Sequence, residues 1–421
     1  MTDSQYRAYL TLLRQELIPA TGCTEPIAIA YAAAKARDVL GALPERIAVR
    51  ASGNVIKNVK SVAVPGTGGL RGIPAAAAAG AAAGRAEAEL EVLARATAED
   101  ARRIAAYLDA TPIAVEHVSS PHPFDVTVAA YAGDASAAVR LAGHHTNVVS
   151  VEKNGETLIS APLPPEADNT RDSGLTVAGI VEFADQVRLE DVRALLNRQI
   201  QCNMAIAEEG LRSPCGANIG KHLLRGHEND LDCRMRAYAA AASDARMSGC
   251  ELPVVINSGS GNQGITASVP VIVYARGSGK TEDELLRALC VSNLVTLHLK
   301  AGIGRLSAYC GVVSAGCGAA SGVAYLQGGR LDSIAHTIVN SLAVDSGIIC
   351  DGAKASCAAK IASAVGAGLL GLEMYRSGDQ FYGGDGIVKK GVENTIACIS
   401  RLAREGMRQT DEEIIHLMMD E

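Results

Sequence analysis

Leu163-Pro164-Pro165-Glu166-Ala167-Asp168-Asn169-Thr170-Arg171-Asp172-Ser173 divides the chain into two unlike halves. Its adjacent prolines and run of polar residues carry no hydrophobic period, so the stretch reads as a linker. Upstream, Asp125-Val126-Thr127-Val128-Ala129-Ala130-Tyr131 and the run from Asn147 to Glu152 alternate apolar and polar as half-buried strands do. Asn154-Gly155 behind the second run is a hairpin turn signal. Downstream, helical patterns are expected at 175–186, 189–209, 231–248, 282–299, 330–346, 354–374, 388–404 and 411–419. The expected fold class is therefore α+β. An N-terminal α/β lobe over residues 1–165 is packed on a larger, mostly helical lobe over residues 175–421.

Working outward from the linker, residues 4–17 read as an amphipathic helix and Ile27–Val39 as an Ala-rich one. Strands are expected at Arg46–Ser52 and Lys60–Val64, and helices again after the glycine turn at 65–69 and over Ala98–Leu108. Val254–Asn257 and Ser268–Tyr274 also look strand-like, flanking a glycine-rich loop. With aromatics at only 3% and no Trp, the core has to be built from Ala, Val, Leu and Ile, and small residues let helices approach closely.

A net charge of −7 with no basic stripe argues against nucleic acid. The N-terminus lacks the apolar core of a signal peptide, and the small-residue run from Ile73 to Gly84 is too short to span a bilayer. A cytoplasmic protein without a membrane partner is expected; a homodimer is the base-rate expectation. Eleven cysteines in such a chain do not suggest a disulfide framework, and most read as small buried hydrophobes. Cys202, Cys233, Cys250, Cys290 and Cys398 fall in helix-like stretches of that kind.

Cys23, Cys310 and Cys350 stand apart. Each is flanked by glycine and small polar residues, as where a loop or helix end presents a thiolate to a metal. Three such thiolates would hold a cubane iron–sulfur cluster with one iron free for substrate. Cys310 with Cys317, and Cys350 with Cys357, are seven residues apart, which puts each pair on one helix face. No C-x-x-C or C-x-x-H pattern supports a zinc ribbon or ferredoxin site, and spacing says nothing about a cluster assembled from distant segments.

Gly259-Ser260-Gly261-Asn262-Gln263-Gly264 matches G-x-G-x-x-G, yet no clean βαβ unit surrounds it. It reads either as a nest of backbone N–H groups for a small anion such as a substrate carboxylate, with Ser258, Ser260, Asn262 and Gln263 adding polar side chains, or as a structural turn. Gly277-Ser278-Gly279-Lys280-Thr281 is not a P-loop, because Tyr274 occupies the place of its first glycine. Lys354 and Lys300 lie near the singled-out cysteines as anion clamps, bases or solvated residues, and His145 is a base, a metal ligand or a turn feature.

The segments TGCTEP at 21–26, PGTGGLRGIPAA at 65–76, HTNVVSVEKNG at 145–155, NMAIAEEGL at 203–211 and INSGSGNQGI at 256–265 resemble the L-cysteine desulfidase family. GRLSAYCG at 304–311, CDGAKASCA at 350–358 and RLAREGM at 401–407 extend the likeness over nearly the whole chain. That family is related to the α-chain of iron–sulfur-dependent L-serine dehydratases. The resemblance implies a [4Fe–4S] cluster on Cys23, Cys310 and Cys350, with Cys357 as an alternative for the last and Cys317 a weaker one. It implies a carbon–sulfur lyase of cysteine catabolism that converts L-cysteine to pyruvate, ammonia and hydrogen sulfide. The SGSGNQG loop and Lys354 would orient the substrate carboxylate, and Lys354 or His145 would serve as base. Elimination of water from L-serine or of another β-substituent by the same route, a non-catalytic amino-acid-binding protein, and a pyridoxal phosphate lyase are the competing expectations.

Overall fold

The computed structural model describes residues 1–20, 22, 24–163, 174–304 and 307–419; the linker at 164–173 and Cys23 lie outside them. Six strands form one sheet in the order Ile113–Val118, Arg46–Ser52, Asp125–Ala132, Ala135–Ala142, Val148–Lys153, Glu156–Ser160. All neighbours are antiparallel except the first pair. Asn154 and Gly155 both take positive φ, at 51° and 83°, as the two-residue hairpin requires. Val126, Val128 and Ala130 alternate inward against helix Thr24–Leu40. That helix meets Gly72–Ala83 backbone to backbone: a Cβ on Gly80 would lie 2.0 Å from the Ala30 carbonyl oxygen. The near absence of aromatic residues and the alanine richness have this packing as their cause.

The rest of the chain is a helical body with its own core. Its centre is helix Gly311–Leu326, in which every residue from Val312 to Leu326 is buried. Such a helix has no polar face and so no 3.6-residue signal, and the sequence reading passed over it. Helix Asp3–Glu16 comes before the sheet in sequence but gives Tyr9, Leu10 and Leu13 to this core. Helix Cys357–Arg376, long and apolar enough to cross a membrane by length and composition, is packed here against Gly311–Leu326.

Four local expectations are corrected. Lys60–Val64 is not a strand: helix Gly53–Val59 runs into a turn, and only Ala63 bridges to Arg71. Ser268–Tyr274 lies inside helix Gly261–Gly277 with Pro270 in its interior, so burial among helices overrides the β-branched run. Strand Val254–Val255 is only two residues long and pairs with Pro19–Ala20, while Cys250 sits in the loop after helix Leu231–Met247.

The two bodies are tied by helix Arg408–Met419, which lies on Gly53–Val59. Lys57, fully buried, forms an ion pair with Asp411 there, and Lys60 donates to the Met418 carbonyl. Removing one member of a buried pair strands the other charge. Asp411→Ala is expected to lower unfolding free energy by about 3–5 kcal/mol, read from the midpoint and slope of a urea denaturation curve.

Candidate functional site

Two loops build the site. Residues 308–310 and 348–350 run antiparallel, with Tyr309 bridged to Ile349. Cys310 donates its N–H to the Ile348 carbonyl at 3.0 Å, and Cys350 donates to the Ala308 carbonyl at 2.6 Å. Buried Tyr309 anchors the first loop, its hydroxyl 3.3 Å from Ser346 Oγ. Cys310 also occupies the N-cap of the central helix Gly311–Leu326.

This pairing puts the Cys310 and Cys350 thiols in hydrogen-bonding contact. The Cys310 bond holds Cys350 well below the ordinary thiol range, and Lys57, the Gly352 N–H and Lys300 pull in the same direction against burial. Cys310 moves the other way, held well above that range by the same bond and by burial. The two sulfurs therefore titrate as a coupled pair, in which Cys350 is the one that ionises first. Lys300 is buried, and burial brings it down to about 8 while the two cysteines oppose that fall. No carboxylate among the described residues forms an ion pair with it.

Gly352 shapes the second loop. Its φ is +91°, and a Cβ there would lie 1.8 Å from the Lys57 carbonyl oxygen, so the turn after Cys350 rests directly on helix Gly53–Val59. Cys357, at the start of helix Cys357–Arg376, has Sγ 3.6 Å from the Gly352 carbonyl oxygen, and burial raises its thiol. Lys354 closes the same turn by donating to the Asp351 carbonyl at 2.8 Å and pairing with the Asp351 carboxylate at 2.5 Å. Cys317 is different in kind: it bonds Ser341 Oγ at 2.9 Å deep in the core, where burial pushes it up to about 12.

The glycine-rich loop arrives from a third direction. Ser258 and Gly259 take φ of 50° and 76°, and Asn257 and Ser260 exchange backbone hydrogen bonds across them. A positive φ at a serine is uncommon and marks a conformation imposed by its surroundings. The turn is braced from behind: Asn257 donates to Asn293 Oδ1 at 3.0 Å, and Asn203 donates to the Val255 and Gly264 carbonyls. Helix Gly261–Gly277 starts directly after the turn, and Ser260 gives it no side-chain cap. The segment behind G-x-G-x-x-G that looked strand-like is therefore helical.

This helix end borders the cysteine pair. A Cβ on Gly311, the residue after Cys310, would lie 2.6 Å from Gln263 Cδ, so the Gln263 amide covers that glycine. Gln263 Oε1 is buried and has no partner among the described residues. On the other side, Arg246 reaches Asn262 Oδ1 with Nη1 at 3.3 Å and the Gly22 carbonyl with Nη2 at 3.1 Å.

The structure therefore brings together Cys310, Cys350, Cys357 and Lys354, with Asn262 and Gln263 alongside and Ser258 and Ser260 in the adjoining turn. The Cys23 expectation falls outside the described residues; its neighbour Gly22 is held by Arg246. Among the described residues no group of three or more His, Cys, Asp and Glu side chains is arranged to hold a metal ion. His145 lies on the sheet body, its ring 4.5 Å from that of Phe124. Lys57 and Arg246 were missed by sequence reasoning. The one available signal for Arg246 was a charged residue ending an Ala-rich helical run, Ala239–Ala242.

Comparison with known proteins places these residues among relatives. A family model described as "Serine dehydratase alpha chain" matches residues 87–416. A UPF0597 protein of Desulfitobacterium hafniense is 55% identical over 421 residues, covering 100% of this chain and 98% of the relative. UPF0597 proteins of Lachnoclostridium phytofermentans and Treponema denticola are 47% and 44% identical, each covering 99% or more of both chains.

Proposed function

Because the chain belongs to the serine dehydratase alpha-chain family, we propose that it is an iron–sulfur-dependent lyase that eliminates sulfide from L-cysteine, leaving pyruvate and ammonia. The observation that carries this reading is the pairing of the Cys310 and Cys350 loops, which sets two cysteine side chains together beside Lys57 and Lys300. Paired sulfur donors, one of them held below the ordinary thiol range and with cations to balance them, are the donor chemistry that an iron–sulfur cluster takes. Cys310 and Cys350 would hold the cluster together with Cys23, and Cys357 is the neighbouring alternative. A bound [4Fe–4S] cluster would supply a Lewis-acidic iron that makes the substrate's β-substituent a better leaving group.

The chain's own residues do the remaining work. The first turn of helix Gly261–Gly277, which Ser260 leaves without a side-chain cap, would offer its N–H groups to the α-carboxylate, with the turn at Ser258–Ser260 beside it. Gln263, over Gly311, fixes that end relative to Cys310. The α-proton goes to a protein base, for which Lys354 and His145 are the candidates. Lys354 can accept it only as the free amine, so its ammonium has first to lose a proton and leave Asp351. Loss of the true base is expected to cut kcat by ~10²–10⁴ with KM little changed. Steady-state kinetics of Lys354→Met and His145→Gln separate the two.

The competing substrate is L-serine, favoured by the description of the matched family. The L-cysteine reading leans instead on the TGCTEP, SGSGNQG and CDGAK segments. Anaerobic purification with iron and sulfide analysis, followed by pyruvate release from each amino acid, decides between them. A brown protein that releases equal pyruvate and sulfide from L-cysteine supports the proposal. Faster pyruvate release from L-serine moves the assignment to the dehydratase, and iron-free protein that is fully active removes the cluster from it.

A further inference from the structure

Arg246 is a buried cation with no counter-charge among the described residues. It sits near the end of helix Leu231–Met247 and is 8% exposed. Its two amino groups donate to neutral oxygens, Asn262 Oδ1 and the Gly22 carbonyl. Its Nε–H is buried with no acceptor, and no carboxylate among the described residues forms an ion pair with it. An arginine keeps its charge at any accessible pH, so burial does not neutralise it. Native structures rarely leave such a group unmatched, because the desolvation cost has no compensating partner.

The guanidinium lies on the first residue of helix Gly261–Gly277. A Cβ on Gly261 would come within 2.4 Å of Arg246 Nε, so only glycine admits the side chain there. The helix end beneath it is positive for a second reason, since its first-turn N–H groups have no capping side chain. Two independent sources of positive potential, one a fixed charge with a vacant donor, thus converge on one buried spot.

We infer that Arg246 is the charged partner of the substrate's α-carboxylate, which occupies the vacant Nε–H and the first-turn N–H groups of helix Gly261–Gly277. This rests on the reading of that turn as the carboxylate site. It adds the residue that confers specificity: the ligand must carry a free α-carboxylate, and amides or decarboxylated amines are rejected. A fork of guanidinium donors matches a carboxylate, whereas a neutral amide would leave the charge stranded.

The test uses L-alanine, which has no β-leaving group and is not consumed, with L-alaninamide as the uncharged control, measured by calorimetry on the full-length protein. Wild type should bind L-alanine and not L-alaninamide. Arg246→Gln should weaken L-alanine by ~10- to 100-fold, the weight of a charge-assisted bond, and Arg246→Lys by less. Gly261→Ala, which displaces the guanidinium without deleting it, should weaken L-alanine as well and covers the case in which the Gln variant does not fold. Unchanged L-alanine affinity in folded Arg246→Gln, or equal wild-type affinity for both ligands, overturns the inference. Arg246-dependent L-alanine binding by protein that releases no pyruvate from L-cysteine or L-serine would sink the lyase reading and leave this inference standing. Turnover with an unaltered KM in Arg246→Gln would do the reverse.

Discussion

Cys350→Ser is expected to abolish the brown colour of anaerobically prepared protein and to reduce pyruvate release by ~10³-fold or more, the scale of several kcal/mol of Lewis-acid stabilisation. Cys310→Ser should do the same, because the two thiols act as one unit. Cys317→Ser, by contrast, should leave colour and activity intact, since that sulfur is bonded to Ser341 in the core. Iron content and initial rates for the three variants make the comparison. A colourless but fully active Cys350→Ser protein would remove the basis for the reading. The same pair gives a second signal in iron-free protein. Cys350 is held below the ordinary thiol range by the Cys310 hydrogen bond, so its thiolate persists as pH falls through neutrality. Its alkylation by iodoacetamide should continue at pH 6–7, below the usual thiol pKa of about 8.5. Cys310→Ala removes the leading cause, and the alkylation profile should shift to higher pH.

Gly352→Ala carries the second large effect, with no side chain removed. Alanine would have to adopt φ near +91° and place a methyl group 1.8 Å from the Lys57 carbonyl oxygen. Neither atom belongs to a flexible side chain, so the turn has to lift off helix Gly53–Val59. Backbone strain and overpacking each cost about 1–3 kcal/mol, and together they should lower stability by about 3 kcal/mol or more. Gly347→Ala is the control: nothing lies within 4 Å of a Cβ there, so its effect should stay within about 0.5 kcal/mol. Urea denaturation of the two variants measures the difference. Iron incorporation reports whether the lifted turn takes Cys350 with it.

How far the sequence could be read depended on how each element is solvated. The sheet was legible because one face of Asp125–Ala132 is buried and the other is not, and because Asn154-Gly155 admits positive φ at both residues. Helices with a wet face, such as Leu189–Arg212, announced themselves by period. Helix Gly311–Leu326 did not, since it is enclosed on all sides, and Ser268–Tyr274 carried a strand-like run into a helix. The site divides along similar lines. Cys310 and Cys350 were visible because a reactive sulfur needs small neighbours, and those neighbours are local in sequence. Lys57 and Arg246 matter because they are buried near those sulfurs or the glycine-rich turn. Burial is set by segments up to hundreds of residues away, and no local pattern records it.

The Lys57–Asp411 ion pair has a consequence for biosynthesis. It joins positions 354 residues apart, and Lys57 is also the backbone on which the Gly352 turn rests. At ~5–20 residues per second, a ribosome leaves the first partner waiting for roughly 20–70 s before the second appears. During that interval the nascent N-terminal segment has to keep a lysine without its aspartate, and the Cys310–Cys350 loops have no finished platform. On the proposed reading, iron delivered to the growing polypeptide would find no complete seat, and metallation would follow translation.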